Sequence, residues 1–261
     1  MARDRFEESA GEGADPMRAA QRAMRPPLAK RFYRRATAGE AASGFALLLD
    51  GKTAKTPAQK PLVVPTRALA EAIAAEWEAI ADVIDPAQLP LTRLANLAID
   101  RAAAEAAGLR EEIVRYAASD HVLYRAGEPE GLVALQAAHW DPIVEWAHSV
   151  LGARFILAEG VNFVAQPEAA LAAVRTEVEG FPPPFALAAL ASLTSLAGSA
   201  LIALALARGH LTAAEAWNAA HVDEGWNIRQ WGEDAEAVAR RAQHLAEFEA
   251  AAKMLALLDR E

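Results

Sequence analysis

The chain has 261 residues, 53% apolar and 23% charged, an ordinary composition for a globular protein that buries a sizeable core. Its 26 basic and 35 acidic residues give a net charge of −9, and the absence of a basic stripe argues against nucleic acid as a partner. There is no cysteine, which excludes disulfides, thiolate catalysis and cysteine-ligated metal sites.

The first 27 residues contain no apolar run that resembles a signal-peptide core. They include five acidic residues, whereas organelle transit peptides are poor in acids. We therefore expect residues 1–27 to form a disordered tail on a cytosolic protein.

Residues 32–64 have the pattern of a small antiparallel sheet. The apolar run Phe45–Leu49 is followed by Asp50-Gly51, a dipeptide that readily adopts the positive φ angles of a tight hairpin turn. Residues 52–56 then form the return strand, and Leu62–Val64 is a further strand that ends before a proline. This predicts a β-rich N-terminal domain over residues 28–85, which ends in a helix capped by Thr66.

Residues 86–261 are predicted to form a larger, all-helical C-terminal domain, so the fold class is α+β. Asp141-Pro142 is typical of a helix start, because proline is tolerated at the first helical position. Residues 155–164 suggest a second small hairpin. The uncharged stretch 180–207 is long enough to span a bilayer, but its alanine content, three prolines and several hydroxyl groups favour a central helix buried on all sides.

The C-terminal third has the clearest helix signals. Thr212 and Glu215 form a capping box, and the helix that follows is predicted to run unbroken from residue 213 to Trp231 and to stop at Gly232. A last helix has one apolar stripe, made of Val238, Ala242, Leu245, Phe248, Ala252 and Leu255.

The helix over residues 213–231 carries tryptophans on two faces. At 100° per residue one face contains Trp217, His221, Glu224, Ile228 and Trp231, and the opposite face contains Trp226, Val222 and Ala219, with Asp223 between them. A single-sided surface helix has no such arrangement. Either the helix is packed inside the domain, or one tryptophan face is offered to a partner.

Motifs for catalysis are missing from the sequence: no glycine loop for phosphate and no nucleophile elbow is present. Glu145 and His148 have the i, i+3 spacing of di-iron helical bundles. With Glu224 and His244 they define the alternative hypothesis of a metal-dependent helical-bundle enzyme. Because the ligand set is incomplete, we expect no catalytic residue, no metal and no cofactor.

Several segments, in this order, give the sequence a family likeness: Lys30–Tyr33, Leu49–Pro57, Glu76-Trp77, Leu89–Asp100, Gln136 with Trp140–Pro142, Gly198-Ser199, Asp223-Glu224, and Trp231–Asp234. With these motifs the chain resembles the chaperones that assemble the catalytic sector of F-type ATP synthases by holding the free alpha subunit. The likeness spans residue 29 almost to the end. Asn227 and Leu97 depart from it, where the family usually has glutamine and where a polar residue is expected.

The resemblance implies a β-rich domain joined to a helical domain, with no catalytic activity and no cofactor. It implies that the protein binds the alpha subunit and prevents its aggregation until the beta subunit replaces it. A functionally important acid precedes the Trp-Gly of the C-terminal helix in this family, and Asp223 and Glu224 are both candidates. The partner-binding residues are expected to be Asp223, Glu224, Trp217, Trp226, Ile228 and Trp231. The protein is expected to be monomeric when free, without stable membrane insertion, and cytoplasmic in bacteria, with eukaryotic relatives in mitochondria.

Overall fold

The computed structural model describes residues 28–160 and 162–258. The predicted tail, residues 1–27, lies outside this range. A small N-terminal sheet is followed by a mostly helical region, which confirms the predicted α+β fold class. The domain boundary near residue 85 stays a prediction, and one continuous cluster of buried apolar side chains draws on both parts.

The N-terminal sheet has β2 at its centre. The strands are β1 (Ala36–Ala41), β2 (Gly44–Leu49), β3 (Lys52–Thr53) and β4 (Val63–Val64). β2 pairs antiparallel with β1 on one side, and with β3 and β4 on the other. The predicted turn is confirmed, because Asp50 and Gly51 have φ angles of 48° and 79° between paired Leu49 and Lys52.

The helices are α1 (Arg67–Glu78), α2 (Pro90–Leu97), α3 (Ala106–Ala118), α4 (Glu130–Leu151), α5 (Glu168–Glu179), α6 (Phe185–Ala197), α7 (Ala200–Ala207), α8 (Ala213–Ala220), α9 (Val222–Trp231) and α10 (Ala235–Leu258). The Thr66 hydroxyl accepts a hydrogen bond from the Leu69 N–H and caps α1, as predicted. α1 covers the sheet with Leu69 and Ile73, which are fully buried.

The uncharged stretch is the centre of the helical part, but it forms two helices where one was predicted. Gly198 takes a φ of +65°, which suits glycine, and the Ser199 side chain then caps α7 by accepting from the Ile202 N–H. All residues of 200–205 are buried. Among the described residues no helix is long and apolar enough to cross a membrane.

Two predictions between residues 124 and 164 are wrong. Pro142 lies inside α4, so Asp141 is no helix cap; the helix continues because Trp140, Ile143 and Trp146 are buried on one side of it. Asp141 instead forms an ion pair with Arg125 at 2.8 Å.

The expected hairpin over residues 155–164 is absent from the described part of the chain. β6 (Ala158–Glu159) pairs in parallel with β5 (Tyr124–Arg125), a strand contributed from before α4. A strand near residue 158 is therefore present, but it pairs with a strand that is distant in the sequence.

Candidate surface for a partner on helices α9 and α10

The helix predicted over residues 213–231 is divided at His221. Its start is as predicted: the Thr212 hydroxyl accepts from the Glu215 N–H at 3.2 Å, and the Glu215 carboxylate accepts from the Thr212 N–H at 2.8 Å. At His221 the backbone leaves helical geometry, with φ −118° and ψ 27°. The His221 ring nitrogen Nδ1 lies 2.8 Å from the Trp217 carbonyl oxygen, the acceptor that an unbroken helix offers to the backbone N–H.

Trp217 packs against His221 at this junction. Its side chain is buried, with its ring centroid 3.8 Å from that of His221 and 5.5 Å from that of Phe248 on α10. Of the face predicted from an unbroken helix, Trp217, His221 and Glu224 line one cleft. Trp217 therefore fixes α8 against α10 and offers little area to a partner.

Asp223 is anchored to the protein body through a buried glutamine. One of its carboxylate oxygens accepts a hydrogen bond from Gln136 Nε2 at 2.7 Å. Gln136 lies on α4 and is only 3% exposed, and its Oε1 accepts from the Ala126 N–H at 2.8 Å. Both halves of the amide are thus used, and α9, α4 and the end of β5 are held together.

Glu224 is the freer of the two acids. Its side chain is 47% exposed, and its nearest cationic group is His221 Nε2 at 3.9 Å, beyond hydrogen-bond range. Burial lowers the pKa of His221, although the Trp217 carbonyl and Glu224 act in the opposite direction. The imidazole is therefore mainly neutral near pH 7, and the permanently charged basic groups that share a cleft with Glu224 are Arg240 and Arg241 of α10.

A cleft of about 130 Å³ separates this acid from α10. It is lined by Trp217, His221, Glu224, Ala237, Arg240, Arg241 and His244. The cleft is too small for a drug-sized molecule, whose pockets usually exceed about 300 Å³. Its position beside an exposed acid suits a single side chain of a partner.

The apolar residues of α9 become more exposed toward its end. Trp226 is half-buried and lies over Gly131 of α4, where an added Cβ would come within 2.9 Å of the indole. Ile228 is also half-buried. Trp231 is 87% exposed, and Val238, one turn into α10, is 48% exposed. We call this set the α9–α10 surface: Asp223, Glu224, Trp226, Ile228, Trp231 and Val238.

The residues of the alternative metal site do not come together. Glu145 and His148 are 3.9 Å apart on α4, and His244 shares the small cleft with Glu224. Across residues 28–160 and 162–258 no group of three or more histidine, aspartate or glutamate side chains is placed to hold a metal ion. Nothing in the geometry supports the metal-enzyme hypothesis.

Sequence reasoning missed the bond between Gln136 and Asp223. Gln136 was noted in a family motif, but its bond to Asp223 was not predicted, because 87 residues separate the two partners and no local pattern connects them. It also missed the exposure of Val238, which was placed on the apolar stripe of the last helix. Of that stripe Phe248 is buried, and Leu245, Ala252 and Leu255 are half-buried.

Comparison with known proteins agrees with this architecture. The family model described as "ATP12 chaperone protein" matches residues 30–148. The crystal structure of a putative chaperone from Agrobacterium tumefaciens is 49% identical, with a TM-score of 0.86 over 95% of this chain and 93% of that one. Atp12 from Paracoccus denitrificans is 39% identical, with a TM-score of 0.81 over 88% of this chain and 98% of that one. Mitochondrial protein atp12 of Schizosaccharomyces pombe is 26% identical over 227 residues, which cover 81% of this chain and 77% of the relative.

Proposed function

The chain belongs to the ATP12 chaperone family, and from this membership we propose that it assists assembly of the F-type ATP synthase catalytic sector. In this proposal it binds the unassembled alpha subunit, prevents its aggregation, and yields to the beta subunit. The α9–α10 surface is the contact region. The single observation that carries the proposal is that one helix, α9, exposes the indole of Trp231 at its end and two acids in its first turn.

The exposed apolar side chain of Trp231 supports the proposal. A ring subunit made alone presents to water the face that its neighbour later covers, and such a face drives aggregation. Covering it requires a complementary apolar surface, and tryptophan is enriched among the residues that dominate binding energy. Complete burial of Trp231 contributes on the order of 3 kcal/mol.

Charge supports it as well. Asp223 and Glu224 occupy the first turn of α9 and both are exposed, while the chain as a whole carries a net charge of −9. A partner with a basic group at the rim of its apolar face therefore meets a complementary potential. Asp223 presents a fixed carboxylate, because Gln136 holds it, whereas Glu224 is free to adapt.

Release needs no chemical step. The beta subunit replaces the chaperone if its interface with the alpha subunit is the more favourable one, so the final assembly supplies the driving force. We accordingly propose a protein without catalytic activity or cofactor. We also propose that it is monomeric when free and acts in the bacterial cytoplasm.

The experiment measures light scattering by an isolated alpha subunit after dilution from denaturant, with and without this protein. Wild-type protein should suppress the scattering. The double variant Asp223→Lys/Glu224→Lys should fold, as judged by circular dichroism, but lose most of that protection.

The matched control is Glu71→Lys/Asp82→Lys, which makes the same change in net charge at exposed acids of the N-terminal part. It should protect as well as wild type. Full protection by the folded Asp223/Glu224 variant would rule out this surface, and failure of the wild-type protein to protect would rule out the function.

A further inference from the structure

Arg241 of α10 is a half-buried cation that lines the small cleft beside Glu224. Its guanidinium forms no hydrogen bond and no ion pair within the described part of the chain. It does lie close to the His221 ring, because its positive charge adds to burial, the main cause that lowers the pKa of His221. Water satisfies a fully exposed arginine, but a partly desolvated cation without a partner group is unfavourable. Arg241 therefore indicates a role that involves another molecule.

The sequence around Arg241 supplies no acid to pair with it. Side chains that touch along a helix lie three or four positions apart. At those spacings Arg241 has Ala237, Val238, His244 and Leu245. Its neighbour Arg240 differs, because Glu236 lies four positions before it and the two form an ion pair at 3.4 Å. Of two adjacent arginines, α10 thus compensates the exposed one and leaves the half-buried one.

The acid on the other side of the cleft does not compensate Arg241 either. Glu224 is the only acid among the described residues that line the cleft. Its nearest cationic group is His221 Nε2 at 3.9 Å, so the Arg241 guanidinium lies farther away. In the proposed function a basic group of the alpha subunit meets Asp223 and Glu224. Once that group is bound, the charge of Glu224 is compensated and that of Arg241 is not.

A carboxylate side chain matches this position in chemistry and in size. The planar guanidinium of arginine offers paired N–H donors that suit the two oxygens of a carboxylate. The cleft of about 130 Å³ is too small for a drug-sized molecule and suits a single side chain. Glu224 lines the cleft and also belongs to the α9–α10 surface, as does Val238 one turn before Arg241. A protein bound to that surface therefore lies next to the cleft.

We propose that Arg241 binds a carboxylate of the alpha subunit inside this cleft, next to the basic group that meets Asp223 and Glu224. The alpha subunit then presents an acid beside a base, whereas Arg241 repels a protein that presents basic groups alone. Such repulsion of a wrong charge pattern is a source of binding specificity. The inference rests on the proposed function and specifies the charge pattern of the bound face.

The first test measures the affinity for a purified alpha subunit by biolayer interferometry. Arg241→Glu reverses the charge in the cleft. The matched control is Arg154→Glu, at an exposed arginine beyond the end of α4 that has no ion pair with a described residue. With both variants folded by circular dichroism, Arg241→Glu should weaken binding at least about tenfold and the control less than about twofold, because a shielded charge pair matters far more than an exposed charge outside the interface.

Equal affinities of the two folded variants would overturn the inference. The proposed function would still stand in that case if Asp223→Lys/Glu224→Lys abolishes binding. If the wild-type protein forms no complex with the alpha subunit, the proposed function fails and this inference fails with it.

The second test identifies the chemical class of the bound group. Arg241→Lys places a primary amine in the cleft, and a carbodiimide condenses an amine with a carboxylate that touches it, releasing water. Mass spectrometry of the treated complex should find position 241 joined to an aspartate or glutamate of the alpha subunit, and Arg154→Lys should give no such link. A link from position 241 only to Glu224 of the same chain, or no link in a complex that forms, would overturn the inference.

Discussion

Replacement of the buried Gln136 by leucine tests how the α9–α10 surface is positioned. Leucine has a similar volume but offers neither the acceptor for the Ala126 N–H nor the donor for Asp223. An unsatisfied backbone N–H costs about 1–3 kcal/mol, and a lost bond to a charged group about 1.5–3 kcal/mol. Asp223 is exposed, so water replaces its lost hydrogen bond. The leucine side chain adds buried apolar surface, so the free-energy cost of the two lost hydrogen bonds is partly offset.

We expect Gln136→Leu to lower the free energy of unfolding by about 2 kcal/mol, which is a fall in Tm of roughly 5 °C for a chain of this size. Urea unfolding followed by tryptophan fluorescence measures the change. Combination with Asp223→Ala in a double-mutant cycle should give a coupling energy of about 1 kcal/mol, because the two groups share one bond.

The matched control is Gln230→Leu, an exposed glutamine on α9 that should change stability by less than about 0.5 kcal/mol. A loss at Gln136 no larger than that of the control, or strictly additive effects of Gln136→Leu and Asp223→Ala, would refute the reasoning.

Three other predictions concern the framework. Glu76→Ala should cost about 2 kcal/mol in urea unfolding, because the partly buried carboxylate accepts from the Thr92 N–H at 2.8 Å and from its hydroxyl at 2.7 Å at the start of α2. Gly198→Ala should cost about 1 kcal/mol in the same assay, since φ is +65° while the added Cβ meets His121 only at 3.6 Å, an ordinary contact. The pKa of His221 is lowered in the folded state, so the unfolded chain binds a proton first as the pH falls below about 6.5. Tm should therefore decline between pH 7.5 and pH 5, and it should decline less in His221→Gln. Identical pH profiles of Tm for the two proteins would contradict this.

Short sequence motifs predicted the turns and helix caps that depend on neighbouring residues. The Asp50-Gly51 turn, the Thr66 cap and the Thr212 capping box each depend on residues within a few positions of one another, and each is present. The fold class followed from the same kind of evidence.

Breaks inside helices were not predicted, because each has a specific contact as its cause. A glycine inside an alanine-rich run is tolerated by a helix, and only the geometry of Gly198 and the Ser199 cap end α6. At His221 the imidazole ring, and not the backbone N–H, contacts the Trp217 carbonyl oxygen. At Pro142 a helix start was predicted, but α4 continues through this residue. Burial of the neighbouring side chains keeps the helix continuous, although proline normally ends one.

The candidate site was predicted by residue type more than by geometry. Periodicity placed Trp217 and Trp231 on one face, but the structure buries the first and exposes the second. Neither the partner of Asp223 nor the pairing of β6 with β5 can be predicted from the sequence, since both depend on contacts between distant segments. Asp223 and Glu224 were proposed from the family likeness and from the helical periodicity, and their role stays a prediction.

The main proposal is that this protein binds the isolated alpha subunit through the α9–α10 surface. Co-expression of the two chains, followed by size-exclusion chromatography of the soluble fraction, tests it most directly. The account predicts that the alpha subunit becomes soluble and elutes together with the wild-type chain, and that Asp223→Lys/Glu224→Lys abolishes this co-elution. An alpha subunit that stays insoluble beside the wild-type protein, or co-elutes equally with the double variant, would contradict the account.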